Sequence, residues 1–110
     1  MSKKPETLFK ERIMPQLEAL PKTYVMKTQE LSKRGILDLI MCVNGLFVAI
    51  ELKKSLKEDP DELQRWNMKK VGAAGGIAIL AYPENWDTVF EIVADIAHRG
   101  YVPDIKIMDS

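Results

Sequence analysis

Apolar positions along the chain fall into blocks of two different periods. Over residues 5–20, Leu8, Phe9, Ile13, Leu17 and Leu20 recur at helical spacing and predict a helix with one apolar face. Pro5 suits its first position; Pro15, inside the pattern, predicts a kink or an early break, and Pro21 ends it. Residues 23–28 alternate weakly and predict a first strand, followed by a polar connection over 29–34. Two apolar runs, 37–43 and 46–50, flank Asn44-Gly45, and residues 51–53 close the second. That dipeptide accepts the positive φ of a type I′ turn, so the runs predict a hairpin.

A polar loop over 54–60 leads to a predicted helix from residue 59 or 60 to about 71, with Leu63, Trp66, Asn67 and Lys70 on or near one face. The glycines of 72–76 follow this helix and precede a strand, the reverse of a phosphate-binding loop, so they predict a helix end and a tight turn. Residues 77–82 are continuously apolar, as in a buried central strand. Asn85 is the expected N-cap of a helix over 88–98, whose apolar side carries Val89, Phe90, Val93, Ile96 and Ala97. Gly100 ends that helix, and 101–107 predict a short edge strand. The order α-β-β-β-α-β-α predicts an α/β fold, a mixed sheet flanked by helices, in one domain spanning 1–110. The helix between the third and fourth strands permits a parallel right-handed crossover.

Composition adds little until it is mapped. The 46% hydrophobic and 29% charged fractions are those of an ordinary globule, with no apolar run of membrane-spanning length and no secretory pattern at the N-terminus. A single cysteine, Cys42, excludes an intrachain disulfide and a cysteine zinc site. These features predict a cytoplasmic protein with no membrane partner. The net charge is zero, yet residues 1–57 hold eleven Lys/Arg against six Asp/Glu, and residues 58–110 hold five against ten. The basic half suits a polyanion-binding surface, and it equally suits simple solvation.

The hairpin carries the one local inconsistency. Asp38 interrupts the first apolar run, and Glu51 and Lys53 share a side of the second. Asp38 lies six residues before Asn44 and Glu51 six after Gly45, so a two-residue turn sets them opposite one another. Facing carboxylates cost stability unless a cation lies between them, which predicts a metal. Two carboxylates match the sparse ligand set of Mg²⁺, which keeps several waters. On the same face, the Lys53 ammonium could orient or activate a water; the alternative is a salt-bridged strand-end lysine.

Asp38, twelve intervening residues, then Glu51-x-Lys53 resembles the D…(D/E)-x-K signature of the PD-(D/E)xK nuclease superfamily. The longer string is Arg34-Gly35-Ile36-Leu37-Asp38-Leu39-Ile40, Val43-Asn44-Gly45, and Phe47-Val48-Ala49-Ile50-Glu51-Leu52-Lys53; it resembles the VRR-NUC branch, which includes small stand-alone phage nucleases. Pro5-Glu6, Gln64 and Ala74-Gly75-Gly76 extend the resemblance from Pro5 to Tyr82. Leu37 stands where the family usually has proline, a position that shapes backbone and carries no chemistry.

The resemblance implies a restriction-endonuclease-like core and a Mg²⁺- or Mn²⁺-dependent endodeoxyribonuclease, hydrolysing phosphodiester bonds in branched DNA, four-way (Holliday) junctions first. Asp38, Glu51, Lys53 and Gln64 would be catalytic. The metal would be held by Asp38, Glu51 and the Leu52 carbonyl, with Glu6 near it. Glu6 otherwise only favours a helix N-terminus, and Glu11 and Glu18 are the fallback acids. Lys33, Arg34 and Lys54 are candidate DNA contacts; the other reading of Lys33-Arg34 is a solvated loop. The two symmetric cutting points of a junction imply a homodimer, through Trp66, Phe47 or the apolar side of the last helix. No small-molecule cofactor is expected. The alternatives are a non-catalytic nucleic-acid-binding module and a nuclease acting on flaps or DNA ends. His98, the only histidine, is read as a helix C-terminal cation without a catalytic role.

Overall fold

The Asn44-Gly45 turn sets the register of the sheet. In the computed structural model, which describes residues 4–28, 35–103 and 107–108, both turn residues have positive φ (49° and 85°). The strands they join, β2 (Leu39–Val43) and β3 (Leu46–Leu52), pair antiparallel with Val43 opposite Leu46 and Leu39 opposite Ile50. Asn44 also anchors the turn. Its backbone N–H donates to Lys22 O (2.7 Å) and its Nδ2 to Ile96 O (3.1 Å).

Around the hairpin stand α1 (Pro5–Glu18), β1 (Thr23–Lys27), α2 (Glu62–Ala73), β4 (Ile77–Ala81), α3 (Trp86–Arg99) and the two-residue β5 (Ile107–Met108). The sheet order is β1-β2-β3-β4-β5. β1 is antiparallel to β2, β4 runs parallel to β3, and β5 runs parallel to β4. The predicted α/β order and the parallel β3-α2-β4 unit are therefore present. No helix among the described residues is long and apolar enough to cross a membrane.

Strand alternation divides the interior into two layers. On one face Leu39, Met41, Val43, Val48, Ile50, Leu52, Ile77 and Ile79 pack with Phe9, Ile13 and Leu17 of α1 and Trp86, Val89, Val93 and Ile96 of α3. On the other, Leu37, Ala49, Ala78, Leu80 and Tyr82 pack with Met68 and Val71 of α2. Each fully buried Leu, Ile or Val side chain stabilises by roughly 1.5–3 kcal/mol, so the larger layer holds α1 and α3 on the sheet. β4 is buried at all five positions because it lies between parallel neighbours with helices on both faces.

The structure corrects several expectations. α1 runs through Pro15, whose ring is exposed, and stops one turn later at Glu18. Leu8 is 53% exposed, because the buried stripe is the narrower Phe9-Ile13-Leu17 line. α2 begins at Glu62 because Asp61, not residue 59 or 60, caps it: Asp61 Oδ1 accepts Gln64 N–H (2.8 Å), and Gln64 Oε1 accepts Asp61 N–H (3.0 Å). Its core-facing residues are Met68 and Val71, whereas Leu63 and Trp66 lie on an exposed flank. Asn85 precedes α3 but does not cap it with its side chain. It stitches the end of β4 instead, accepting Tyr82 N–H (2.7 Å) and donating to Leu80 O (3.1 Å). Tyr101 and Val102 are exposed outside any strand, and β5 is described at Ile107–Met108.

Candidate active site

Asp38 immediately precedes β2, and Glu51 lies near the end of β3. The register that pairs Leu39 with Ile50 brings them together. Asp38 N–H donates to Glu51 Oε1 (3.2 Å), and Asp38 Oδ2 accepts Leu52 N–H (2.9 Å). Asp38 thus replaces a ladder partner at the point where the hairpin splays. A residue's N–H and C=O leave an extended strand on the same edge, so the Leu52 carbonyl is directed to the Asp38 side.

Lys53 is two residues past Glu51 and on its side of the strand. Its Nζ is 3.4 Å from Glu51 Oε2. Gln64 enters from α2, and its Nε2 donates to the same Glu51 oxygen at 2.6 Å. One amide therefore serves two elements: its oxygen completes the α2 capping box and its nitrogen holds the carboxylate. The parallel crossover delivers the N-terminus of α2 to the carboxyl ends of β3 and β4, a common place for ligands in α/β sheets.

Glu51 is 2% exposed, the only buried acidic side chain among the described residues. Desolvation, followed by the charge of Asp38, pushes its carboxyl up from 4.5 to about 8, against the pull of Lys53. The two carboxyl groups are also within hydrogen-bonding reach, which favours a proton on Glu51.

Glu6, in the first turn of α1, joins the edge of this cluster. Its carboxyl shares a hydrogen bond with Glu58, and it feels Lys53 and Asp38. Desolvation and then Glu58 raise its pKa. Glu58 is also 3.4 Å from Lys54 Nζ, so the predicted DNA contact Lys54 is ion-paired at the rim. Glu11 and Glu18 line a cleft with Thr7, Lys10 and Lys27 that includes none of the other predicted site residues. Lys33 and Arg34 lie outside the described residues.

Two supporting residues carried no signal in the sequence. Thr28 is buried at the end of β1, where its Oγ donates to Leu37 O (2.6 Å) and Asp38 O (3.1 Å) and its N–H to Asp38 O (3.0 Å). It fixes the backbone that aims Asp38. Tyr82 Oη donates to Glu58 O (3.2 Å) and holds the 54–60 loop against β4. Gly35 also supports the site. At φ 77° it lies so close to α2 that a Cβ would come 2.4 Å from Leu63 Cγ, and its carbonyl accepts Asn67 Nδ2 (2.9 Å).

Of the dimer candidates, Phe47 and Trp66 are exposed. The apolar side of α3 is not available: Trp86, Val89, Val93, Ile96 and Ala97 are all in the core, because that side covers β2 and β4.

No group of three or more His, Cys, Asp or Glu side chains among the described residues forms a metal cage. The two carboxylates that meet here, Asp38 and Glu51, are hard oxygen donors. A buried Glu51 facing a half-buried Asp38 fits an ion that completes its shell with water, as Mg²⁺ does, and does not fit zinc or a metal needing a full protein cage. Comparison with known proteins finds no family model, no curated protein and no solved structure that matches this chain.

Proposed function

We propose that the sheet and its flanking helices are the core of a restriction-endonuclease-like nuclease, and that the chain is a Mg²⁺- or Mn²⁺-dependent endonuclease of branched DNA. The observation that carries this reading is the meeting of Asp38 and Glu51 at the strand ends, with Lys53 against Glu51. Phosphodiester hydrolysis needs an attacking water, stabilisation of charge on phosphorus and help for the leaving oxygen. Asp38, Glu51 and the Leu52 carbonyl would hold a divalent ion, which would supply stabilisation of the phosphate charge. Lys53, beside Glu51, would orient the water and balance negative charge. Gln64 holds Glu51 in place, since its amide oxygen is locked in the cap of α2. Glu6 assists from the rim. Lys33, Arg34 and Lys54 contact the DNA backbone, with Lys54 leaving Glu58 as phosphate enters. Four-way junctions, with two symmetric cutting points, suit a homodimer. Such an enzyme works where DNA is, and the lone Cys42 suits a reducing interior, in a cell or serving a phage.

The sparse ligand set favours a second reading, a nucleic-acid-binding module that does not cut. Cleavage of end-labelled four-way junction, flap and linear duplex DNA with Mg²⁺, Mn²⁺ or EDTA separates these. Paired, metal-dependent nicks in the junction that vanish in Lys53→Ala are expected, with the far-UV spectrum of the variant unchanged. Cutting by Lys53→Ala at the wild-type rate overturns the role of Lys53. Binding without cutting under every metal leaves the module, and nicks confined to flaps or ends replace the junction as substrate.

A further inference from the structure

The two tryptophans of the chain are placed very differently. Trp86 is 3% exposed and packs edge-on against Phe9 in the core, whereas Trp66, on α2, is 52% exposed. Lys70, one turn after Trp66, sets its Nζ 5.2 Å from the centroid of the indole. One turn before it, Asp61, Glu62 and Leu63 join Gly35 and Trp66 in lining a cleft of about 680 Å³. The indole therefore stands between a cation and an acidic cleft. That cleft is tied to the candidate active site at two points. Gly35 lies three residues before Asp38, and its carbonyl accepts Asn67 Nδ2 (2.9 Å) from α2. Asp61 exchanges two hydrogen bonds with Gln64, whose Nε2 holds Glu51 at 2.6 Å.

We propose that this cleft takes an unpaired nucleobase of the strand that approaches Asp38 and Glu51, stacked on Trp66 with its amino edge toward Asp61 and Glu62. The inference rests on the nuclease reading for the class of its ligand. Three observations select a base. An aromatic face open to solvent is a stacking platform for any base. The charges then sort the parts of a nucleotide. The two carboxylates of the lining repel a phosphate, but they accept from the exocyclic amino group of cytosine or adenine, as acidic side chains do from cytosine N4. Lys70, on the other side of the ring, is where a phosphate of the same strand would be met. The volume lies within the roughly 300–1,000 Å³ of clefts that hold small ligands, room for a base with its sugar. A base inside a duplex has its faces in the stack and its edge on its partner, so only an unpaired one can enter. Branch points supply such bases and an uninterrupted duplex does not, which makes Trp66 a specificity-determining residue for branched DNA.

The test is binding of short single-stranded oligo(dC) and oligo(dT) and of a blunt duplex to the full chain in EDTA. It is read by indole fluorescence and by the anisotropy of dye-labelled DNA. Trp86 is buried, so quenching by stacking reports Trp66. Saturable quenching by oligo(dC) is expected, with weaker binding of oligo(dT), which has no amino group, and no quenching by the duplex. Trp66→Ala, at an exposed position, is expected to keep the far-UV spectrum and to weaken oligo(dC) binding roughly 5- to 150-fold, while Trp66→Phe, which still stacks, keeps most of the affinity. Glu62→Gln is expected to narrow the gap between oligo(dC) and oligo(dT). Unchanged oligo(dC) affinity in Trp66→Ala, or oligo(dT) bound as tightly as oligo(dC), overturns the proposal. Quenching by arginine amide with none by either oligonucleotide gives the cleft to a cation and overturns it too. Cleavage with Mg²⁺ or Mn²⁺ separates the two readings. A chain that binds oligo(dC) through Trp66 and cuts nothing keeps this inference and loses the nuclease; one that cuts branched DNA equally well as Trp66→Ala keeps the nuclease and loses this inference; one that binds no DNA loses both.

Discussion

Replacing Glu51 by glutamine removes a charge that the fold holds at a cost. Burial and the facing Asp38 raise the Glu51 carboxyl from 4.5 to about 8. A shift of that size corresponds to roughly 5 kcal/mol between the protonated and ionised forms. The sign follows from proton uptake. The folded chain keeps a proton on Glu51 between pH 4.5 and about 8 where the unfolded chain has lost it, so stability is full below 4.5, falls across that window and is flat above it. A carboxamide at this position resembles the protonated acid: its oxygen accepts from Asp38 N–H or Gln64 Nε2, and its nitrogen donates to the Asp38 carboxylate. It cannot accept from both neighbours, which costs about 1 kcal/mol for one hydrogen bond. Allowing for relaxation and water entry around a buried ion, Glu51→Gln is expected to stabilise the metal-free chain by about 2–4 kcal/mol at about pH 9 and to destabilise it by about 1 kcal/mol at about pH 4. The melting temperature then rises by several degrees per kcal/mol, as for other domains of about 100 residues. Thermal unfolding in EDTA across this pH range reads the effect, and Mg²⁺ is expected to stabilise the wild type and not the variant. If the variant is no more stable than wild type at high pH, or keeps the wild-type slope, the facing-carboxylate argument is wrong.

The remaining predictions concern the supports of the site. Gly35→Ala forces a Cβ into Leu63 at a positive φ, so a loss of about 1–3 kcal/mol is expected in urea unfolding; a loss below about 0.5 kcal/mol would show that Gly35 does not set the approach of α2. Thr28→Val leaves the Leu37 carbonyl without its hydroxyl donor, and a loss of about 1–3 kcal/mol is expected by the same measurement, together with weaker Mg²⁺ stabilisation because Asp38 is no longer held; unchanged stability and unchanged Mg²⁺ response would remove Thr28 from the site. Lys53→Ala completes the set.

What the sequence determined by itself is local. Asn44-Gly45 admits one common turn, the turn admits one register, and that register sets Asp38 against Glu51. The period of a strand then puts Lys53 beside Glu51. The alternation of apolar runs with helical spacing was also legible, because each signal spans only a few residues. The tertiary structure decided everything that needs elements distant in sequence. Asp61, one residue past the predicted start, sets the phase of α2, and only that phase turns Gln64 to Glu51 and leaves Trp66 on the flank. The Glu6–Glu58 pair and the Thr28 clamp join segments that are distant in sequence and carry no local signal of the contact. The burial that raises Glu51 and the cleft between Gly35 and Trp66 arise from where helices pack on a finished sheet, a choice made by long-range contacts that no local pattern encodes.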